Sequence, residues 1–244
     1  MFFNNFHNFK LKHENKSMVI EIVPTGIKGL DELLKGGLPL GSTTLVSGSP
    51  GSGKTILSIQ FLVNGALNGE NGLYISLEED VERMKEYLSI AFKWPINELI
   101  KKGKLVMIRS DIYDFEKFKD LIETNVEKMK IKRIVIDPIT VISLFFENPL
   151  QIRRSLLELD YMLKKLRCTS LLTCEIPEGS QAISSFGIEE FTSDGIILLF
   201  YKIGYPRGIV IRKMRLIDHD KDIHPFEIKS GKGIIVYSNQ KLFK

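Results

Sequence analysis

The chain has 244 residues, of which 43% are hydrophobic and 26% are charged. These proportions are typical of a globular protein and exclude a disordered chain, a collagen-like repeat and a coiled coil. Lysine and arginine number 34 against 30 aspartates and glutamates, so the net charge is +4, which permits contact with phosphates without requiring it. The two cysteines, Cys168 and Cys174, match no zinc or redox spacing, and we expect them to be core residues.

The N-terminus lacks the basic segment followed by an apolar segment that marks a secretory signal. The longest apolar run, Ile196–Tyr201, has the length of a strand and is far too short to span a membrane. We therefore expect a soluble, cytoplasmic protein that does not enter the membrane. Residues 1–17 are polar and show no periodicity, which predicts a flexible N-terminal arm before a single domain over residues 18–244.

From residue 18 onward, short β-type runs alternate with helical patterns. The predicted strands are Thr43–Ser47, Leu73–Ser76, Leu105–Arg109, Arg133–Ile136, Ser170–Cys174 and Gly195–Tyr201. The predicted helices are Thr55–Leu67, Val81–Phe92, Phe115–Met129 and Leu150–Leu166. Such alternation predicts an α/β fold with a mainly parallel central sheet flanked by helices on both faces.

After residue 195 the pattern changes to strands separated by turns. These strands are Ile209–Leu216, Phe226–Lys229 and Gly233–Tyr237. Because no linker or repeat separates them from the preceding units, we expect a C-terminal antiparallel extension of the same sheet.

A phosphate-binding loop of the pattern G-x-x-x-x-G-K-[ST] follows the first predicted strand. Its residues are Gly48, Ser49, Pro50, Gly51, Ser52, Gly53, Lys54 and Thr55. Glycines allow successive backbone N–H groups to surround an anion, and a helix that begins at Lys54 adds its dipole. Lys54 is expected to reach the β- and γ-phosphates of a nucleotide, and the Thr55 hydroxyl is expected to bind Mg²⁺.

Carboxylates at the ends of two further predicted strands suggest nucleotide hydrolysis. The hydrophobic run that ends at Asp137 is typical of a buried strand whose acid holds Mg²⁺, partly through water. Glu78 follows another strand and is predicted to be the catalytic base, with Glu79 as the alternate because neighbouring strand residues face opposite ways. Capping of the next helix is a second interpretation of the acidic run that ends at Asp80, and both interpretations can hold together.

At this point the sequence resembles the RecA-like P-loop ATPases and, within them, the KaiC-like branch. The resemblance covers residues 19–238 and includes the segments Pro24–Pro39, Tyr74–Glu79 and Phe186–Asp194. It implies a RecA-like fold, ATP and Mg²⁺ as ligands, and ATP hydrolysis with Glu78 as the base.

The resemblance also implies an oligomer, usually a hexameric ring, with active sites between subunits. A Lys-x-Arg pair in this branch reaches the γ-phosphate bound by the neighbouring subunit, and Lys213 and Arg215 stand where that pair would fall. Two exposed residues on one strand face are the other interpretation of this pattern. Leu216 and Ile217 follow the pair where the branch usually has Gly-Thr, and Pro138 follows Asp137 where a serine is common.

Three functions remain open at this stage. The first is an oligomeric ATPase that drives a conformational change in an unidentified protein client. The second is a RecA/RadA-like DNA-binding ATPase, whose loops would be Leu144–Pro149 and Ile176–Gly187, although these loops carry only acidic charges. The third is an ATP-gated scaffold with little turnover. Neither clock function nor autophosphorylation is inferred, because the chain has one such domain and no matching Ser/Thr pair.

Overall fold

The computed structural model describes residues 20–111, 114–177, 182–185, 187 and 192–243. The predicted arm lies outside the described residues. So do residues 186 and 188–191, and with them most of the segment Phe186–Asp194.

The described chain forms a two-stranded sheet and a nine-stranded sheet. The small sheet pairs β1 (Ile22–Val23) with β2 (Leu38–Pro39). The strands of the large sheet are β3 (Thr43–Gly48), β4 (Asn71–Ser76), β5 (Leu105–Arg109), β6 (Ile131–Asp137), β7 (Thr169–Glu175), β8 (Gly195–Phe200), β9 (Arg207–Met214), β10 (His224–Lys229) and β11 (Gly233–Val236). Their order is β11-β10-β9-β8-β3-β7-β6-β4-β5. The strands from β8 to β5 are parallel and β9 to β11 are antiparallel, which confirms the predicted α/β architecture and its C-terminal extension.

Helices flank both faces of the large sheet. They are α1 (Leu30–Leu33), α2 (Lys54–Leu67), α3 (Val81–Phe92), α4 (Ile96–Lys101), α5 (Phe115–Met129) and α6 (Pro149–Lys165), with a 3-10 helix over Ile139–Phe145. The four long predicted helices are confirmed to within one residue at each end. Helix α4 and the 3-10 helix were not predicted, because six or seven residues are too few to give a clear helical period. None of the described helices is long and apolar enough to cross a membrane.

Two hydrophobic layers enclose the sheet. Residues of α1 to α4 bury their apolar side chains in one layer, and those of α5 and α6 bury theirs in the other. Cys168 and Cys174 are both fully buried in the second layer, as predicted. Burial raises the pKa of the Cys168 thiol to about 11, so this thiol is not a reactive group at neutral pH.

The parallel register brings the ends of four strands to one edge of the sheet. Gly48 is paired with Glu175, and Ser76 is paired with Asp137. Residues at or just after these positions therefore meet at the carboxyl edge, where ligands bind in open α/β sheets.

The predicted strand Ile209–Leu216 ends two residues early, at Met214. Leu216 has a φ of +72°, a left-handed backbone conformation that a strand cannot contain. The strand also holds an irregularity, since Lys213 pairs with Ile196 whereas Ile211 pairs with Ile197. Arg212 is thus an extra, bulged residue.

Arg133 connects β6 to the helix that begins in the phosphate-binding loop. Its side chain is only 3% exposed. It donates hydrogen bonds to the carbonyl oxygens of Phe61 in α2 at 2.9 Å and Pro24 at 3.0 Å, and pairs with the Glu70 carboxylate at 2.5 Å. The guanidinium also lies 4.5 Å from the centre of the Phe61 ring. A buried charge with this many partners holds α2 against the sheet.

Gly65 of α2 gives Arg133 its space, because a Cβ at position 65 would lie 2.3 Å from the Arg133 Nε atom. We expect Gly65→Ala to displace the guanidinium from its partners and to lower the free energy of unfolding by about 3 kcal/mol. Thermal unfolding followed by circular dichroism measures this loss. In an Arg133→Ala background the same substitution should no longer destabilise, since alanine is the better helix former. An equal loss in both backgrounds would contradict the role given to Arg133.

Candidate functional site

A cavity of about 560 Å³ opens at the carboxyl edge of the sheet. Of the predicted site residues, it is lined by Pro50, Gly51, Gly53, Lys54, Thr55, Glu78, Glu79 and Asp137. The structure therefore brings the phosphate-binding loop and the acids of two other strands to one place. The lining also includes Glu175 and Arg207, which the sequence did not single out.

The loop from Gly48 to Thr55 joins β3 to α2 and has the shape of an anion-binding site. Gly51 and Gly53 adopt φ values of +74° and +107°, which favour glycine. A Cβ on Gly48 would lie 2.5 Å from the Ser52 Oγ atom, so the loop is too tight for a side chain there. Gly53 is the N-cap of α2 and supplies no capping side chain. The first N–H groups of a helix have no partner within it, and here they are available to an anion.

Lys54 lies buried within this loop. Its Nζ atom donates to the carbonyl oxygens of Gly48 at 2.9 Å and Ser49 at 3.2 Å, and it lies 3.6 Å from a carboxylate oxygen of Glu175. Glu175 is the last residue of β7, the direct neighbour of β3. The rule that identified Asp137, an acid at the end of a hydrophobic strand, also fits Glu175 and would have found it.

Two hydroxyl groups orient the buried Asp137 carboxylate at the end of β6. The Tyr74 hydroxyl donates to its Oδ2 atom at 2.8 Å, and the Thr173 hydroxyl donates to its Oδ1 atom. Burial, and next the Asp137 charge, raise the pKa of Tyr74 well above its usual value, so the phenol remains a donor. Both partners come from the strands on either side of β6. A polar residue within a hydrophobic strand was the sequence signal that could have identified each of them.

The residues present fit a magnesium ion. The Asp137 carboxylate and the Thr55 hydroxyl line the same cavity, and both are the hard oxygen ligands that Mg²⁺ prefers. The hydroxyl donors on Asp137 provide the supporting contacts that fix a ligand's direction.

Glu78 and Glu79 follow β4, which ends at Ser76. The alternation of strand side chains therefore does not separate them, and both line the cavity. Burial, and then the charges of Asp137, Glu78 and Glu175, raise the pKa of Glu79 above its usual value. The helix cap belongs to the next residue, Asp80, whose carboxylate accepts from the backbone N–H of Arg83 at 2.9 Å.

Arg207, at the start of β9, supports the phosphate-binding loop from the other side. Its guanidinium stacks over the Tyr201 ring at 4.3 Å and donates to the Gly51 carbonyl oxygen at 3.4 Å. Neither residue stands in a recognisable motif. Strand pairing across the β8–β9 hairpin brings both to the loop.

Lys213 and Arg215 lie at the opposite edge of the sheet. Met214, between them, pairs with Gly195, which in turn pairs with Thr44 of β3. Thr44 precedes the phosphate-binding loop by four residues, about 13 Å along the strand direction. The pair is not part of the cavity that contains Lys54 in the same chain.

The bulge at Arg212 determines which face carries this basic pair. Ile209 and Ile211 belong to the hydrophobic layer of α1 to α4. Strict alternation along the strand would place Lys213 on the same face, but Met214 lies there instead. The extra residue thus turns Lys213 and Arg215 to the face covered by α6. There the Lys213 Nζ atom donates to the Ser193 carbonyl oxygen at 2.6 Å, while Arg215 pairs with Asp194 at 3.5 Å.

The aromatic residues of the first loop considered for DNA are engaged within the fold. Phe145 lies 6.3 Å from Phe118, and Phe146 lies 5.4 Å from Phe115, both in edge-to-face contact with α5. Both rings are half-buried, so packing within the fold accounts for part of their surface. Much of the second loop, including Phe186, lies outside the described residues.

Comparisons with known proteins identify the family of the chain. The profile of the KaiC ATPase family matches residues 23–241. A UPF0273 protein of Thermotoga maritima is 34% identical over 91% of this chain and 98% of its own length. The circadian clock protein KaiC3 of a Synechocystis species is 36% identical over 89% of this chain, which spans only 46% of that relative.

A solved structure also shares the fold. A KaiC-like protein of the archaeon Pyrococcus horikoshii superimposes with a TM-score of 0.82 at 36% identity, covering 90% of this chain and 100% of that protein. The family profile matches well over half of the chain, and the phosphate-binding loop and strand-end acids lie together within the matched region. The chain therefore belongs to the KaiC family of ATPases.

Proposed function

We propose that this protein binds ATP with Mg²⁺ in the cavity at the carboxyl edge and hydrolyses it within an assembly of identical copies. In this assembly Lys213 and Arg215 of one copy complete the site of the next copy. Hydrolysis then drives a conformational change in a protein client. The observation that supports the intersubunit site best is the position of the basic pair, which lies about 13 Å along the strands from its own phosphate-binding loop.

The residues of the loop bind the phosphates. Backbone N–H groups at the start of α2 surround the β-phosphate, and Lys54 turns from the loop carbonyl oxygens toward the β- and γ-phosphates. Mg²⁺ bound by Thr55 and Asp137 would neutralise part of the negative charge on the phosphates. Arg207 holds the loop through Gly51 and adds a positive charge to the same wall of the cavity.

Glu78 is proposed to accept the proton of the attacking water, with Glu79 as the alternate. Both carboxylates line the cavity beside Asp137. Burial and the neighbouring acidic charges raise the pKa of Glu79, a perturbation often found at functional sites, so Glu79 is tested beside Glu78.

Arg215 is proposed to act in trans as an arginine finger, with Lys213 beside it. Within its own chain Arg215 is half exposed and its contact with Asp194 is long, at 3.5 Å. Asp194 would remain paired with Lys164 at 2.9 Å if Arg215 exchanged this contact for the phosphates of a neighbouring site. This arrangement would couple assembly to hydrolysis, because no copy could turn over alone.

One observation favours the scaffold with little turnover as a second candidate. Lys54 already has three oxygen partners, and the Glu175 carboxylate lies in the cavity that the phosphates would enter. A bound nucleotide must therefore overcome both the lysine contacts and the repulsion from Glu175. Substitution of Glu175 and of Glu78 distinguishes a scaffold with little turnover from an active ATPase.

We expect Glu175→Gln to tighten nucleotide binding about fivefold, because it removes a half-exposed carboxylate that competes for Lys54 and repels phosphate. Titration of a fluorescent ADP analogue at fixed salt measures the affinity. Glu98→Gln is the matched control, since Glu98 lies on α4 and pairs with Lys102 at the end of that helix, away from the cavity. Weaker binding by Glu175→Gln would mean that the carboxylate assists the nucleotide.

We expect Glu78→Gln to reduce the rate of phosphate release about a thousandfold and to leave nucleotide affinity nearly unchanged, because the amide cannot accept a proton. Glu79→Gln, measured in parallel, should lose less than tenfold. The reverse ranking would assign the base to Glu79. Rates equal to wild type in both variants would exclude either carboxylate as the base, and a wild type with no ATP-dependent turnover would support the scaffold.

Mixing two inactive variants tests the intersubunit site. Lys54→Ala should lose nucleotide binding and Arg215→Ala should lose turnover. Random co-assembly of equal amounts should restore about a quarter of wild-type activity, because about one interface in four joins an intact loop to an intact arginine. Phosphate release measured after mixing and re-assembly reports this recovery. A mixture no more active than its components would contradict the trans role of Arg215.

A further inference from the structure

Five non-glycine residues of the described chain have a left-handed backbone conformation. Four of them are basic, and each follows a helix: Lys35, Lys93, Lys130 and Arg167. The left-handed conformation is the usual end of a helix, and long polar side chains there remain in water. The fifth, Leu216 at φ +72°, follows a strand and has no such explanation.

Leu216 is also 71% exposed, although it is apolar. Its neighbour Ile217 is turned inward and packs against the hydrophobic layer of α1 to α4. The left-handed turn thus directs one apolar side chain into the core and the other into solvent. Glycine would make the same turn without the steric cost that a Cβ imposes, so the turn alone does not account for a leucine.

We propose that Leu216 is an intersubunit contact that positions Arg215 in the site of a neighbouring copy. This inference rests on the proposed intersubunit function. Leu216 directly follows Arg215, so burial of its side chain on a neighbour would stabilise the contact that brings the guanidinium to that neighbour's cavity. Leu216 acts through association in this proposal, since its side chain has no group that acts on phosphate and Arg215 enters the cavity once the copies are assembled.

The rim of the nucleotide cavity is the matching surface on the second copy. It carries the acids Glu78, Glu79 and Asp80, opposite in charge to Lys213 and Arg215. Beside these acids, α3 exposes two large apolar side chains one turn apart, with Tyr87 58% and Ile90 73% accessible. Tyr87 lines the nucleotide cavity itself.

These two surfaces are complementary in charge and in apolar character. One presents a basic pair followed by an exposed leucine, and the other presents an acidic group beside an exposed tyrosine and isoleucine. Since they belong to different parts of the chain, their contact is head-to-tail and can repeat from copy to copy. Leu216 then occupies the apolar part of the neighbour's rim while Arg215 enters its cavity.

The test is the dependence of ATPase activity on protein concentration for the full chain. The variants are Leu216→Gly and Leu216→Asn, because glycine and asparagine tolerate the left-handed conformation. We expect half-maximal specific activity at about tenfold higher protein concentration in both, which corresponds to the loss of one buried leucine contact. The plateau at high concentration should equal that of wild type, since Arg215 and the catalytic groups are intact. Sedimentation velocity with ATP should show the same shift in assembly.

Three controls separate an interface role from a structural one. Leu216→Met keeps an apolar side chain and should retain the wild-type profile. Leu67→Asn removes a similarly exposed leucine, 59% accessible at the end of α2, and should also leave the profile unchanged. The melting temperature of Leu216→Gly without nucleotide should not fall, because glycine relieves the backbone.

Each contrary result overturns the proposal in a recognisable way. An unshifted profile for Leu216→Gly and Leu216→Asn would overturn it and leave the intersubunit function intact. A lower plateau, or a melting temperature several degrees lower, would show that Leu216 acts on chemistry or on the fold. A wild type that stays monomeric with ATP, and whose specific activity does not depend on concentration, would remove the intersubunit function itself.

Discussion

The buried Arg133 guanidinium is the interaction on which the arrangement of the site depends. It ties β6 to the middle of α2, and these two elements carry the lysine and the aspartate of the cavity. Lys54 begins α2 and Asp137 ends β6, so one cross-link fixes these two residues of the cavity relative to each other. A charge at 3% exposure is tolerable only because two carbonyl oxygens and a carboxylate receive its donors.

The parts of the fold that follow from local pattern were predictable. Alternating strands and amphipathic helices give an α/β sheet, and the phosphate-binding loop and the acid at Asp137 are read from short segments. Contacts that depend on pairing between distant segments were not readable in this way. Arg207 reaches the cavity, and Tyr201 lies beneath its guanidinium, through the register of β8 and β9, and a single sequence contains no direct signal of that register.

The acidic pair at the cavity illustrates a different limit. Alternation of strand side chains predicts that Glu78 and Glu79 face opposite ways, but β4 ends at Ser76 and both residues line the cavity. Strand ends are set by hydrogen-bond partners on neighbouring strands rather than by the residues themselves. A choice between adjacent side chains just beyond such an end therefore requires either a structure or measured activities of the two variants.

The bulge at Arg212 divides β9 into two parts. Arg207 lies before it and serves the chain's own loop, whereas Lys213 and Arg215 lie after it and face α6. Removing or adding one residue at the bulge would exchange the faces of the second part and leave the first part untouched. The contact of Arg207 with its own loop and the direction of the basic pair can thus diverge independently in evolution, through the insertion or deletion of a single codon.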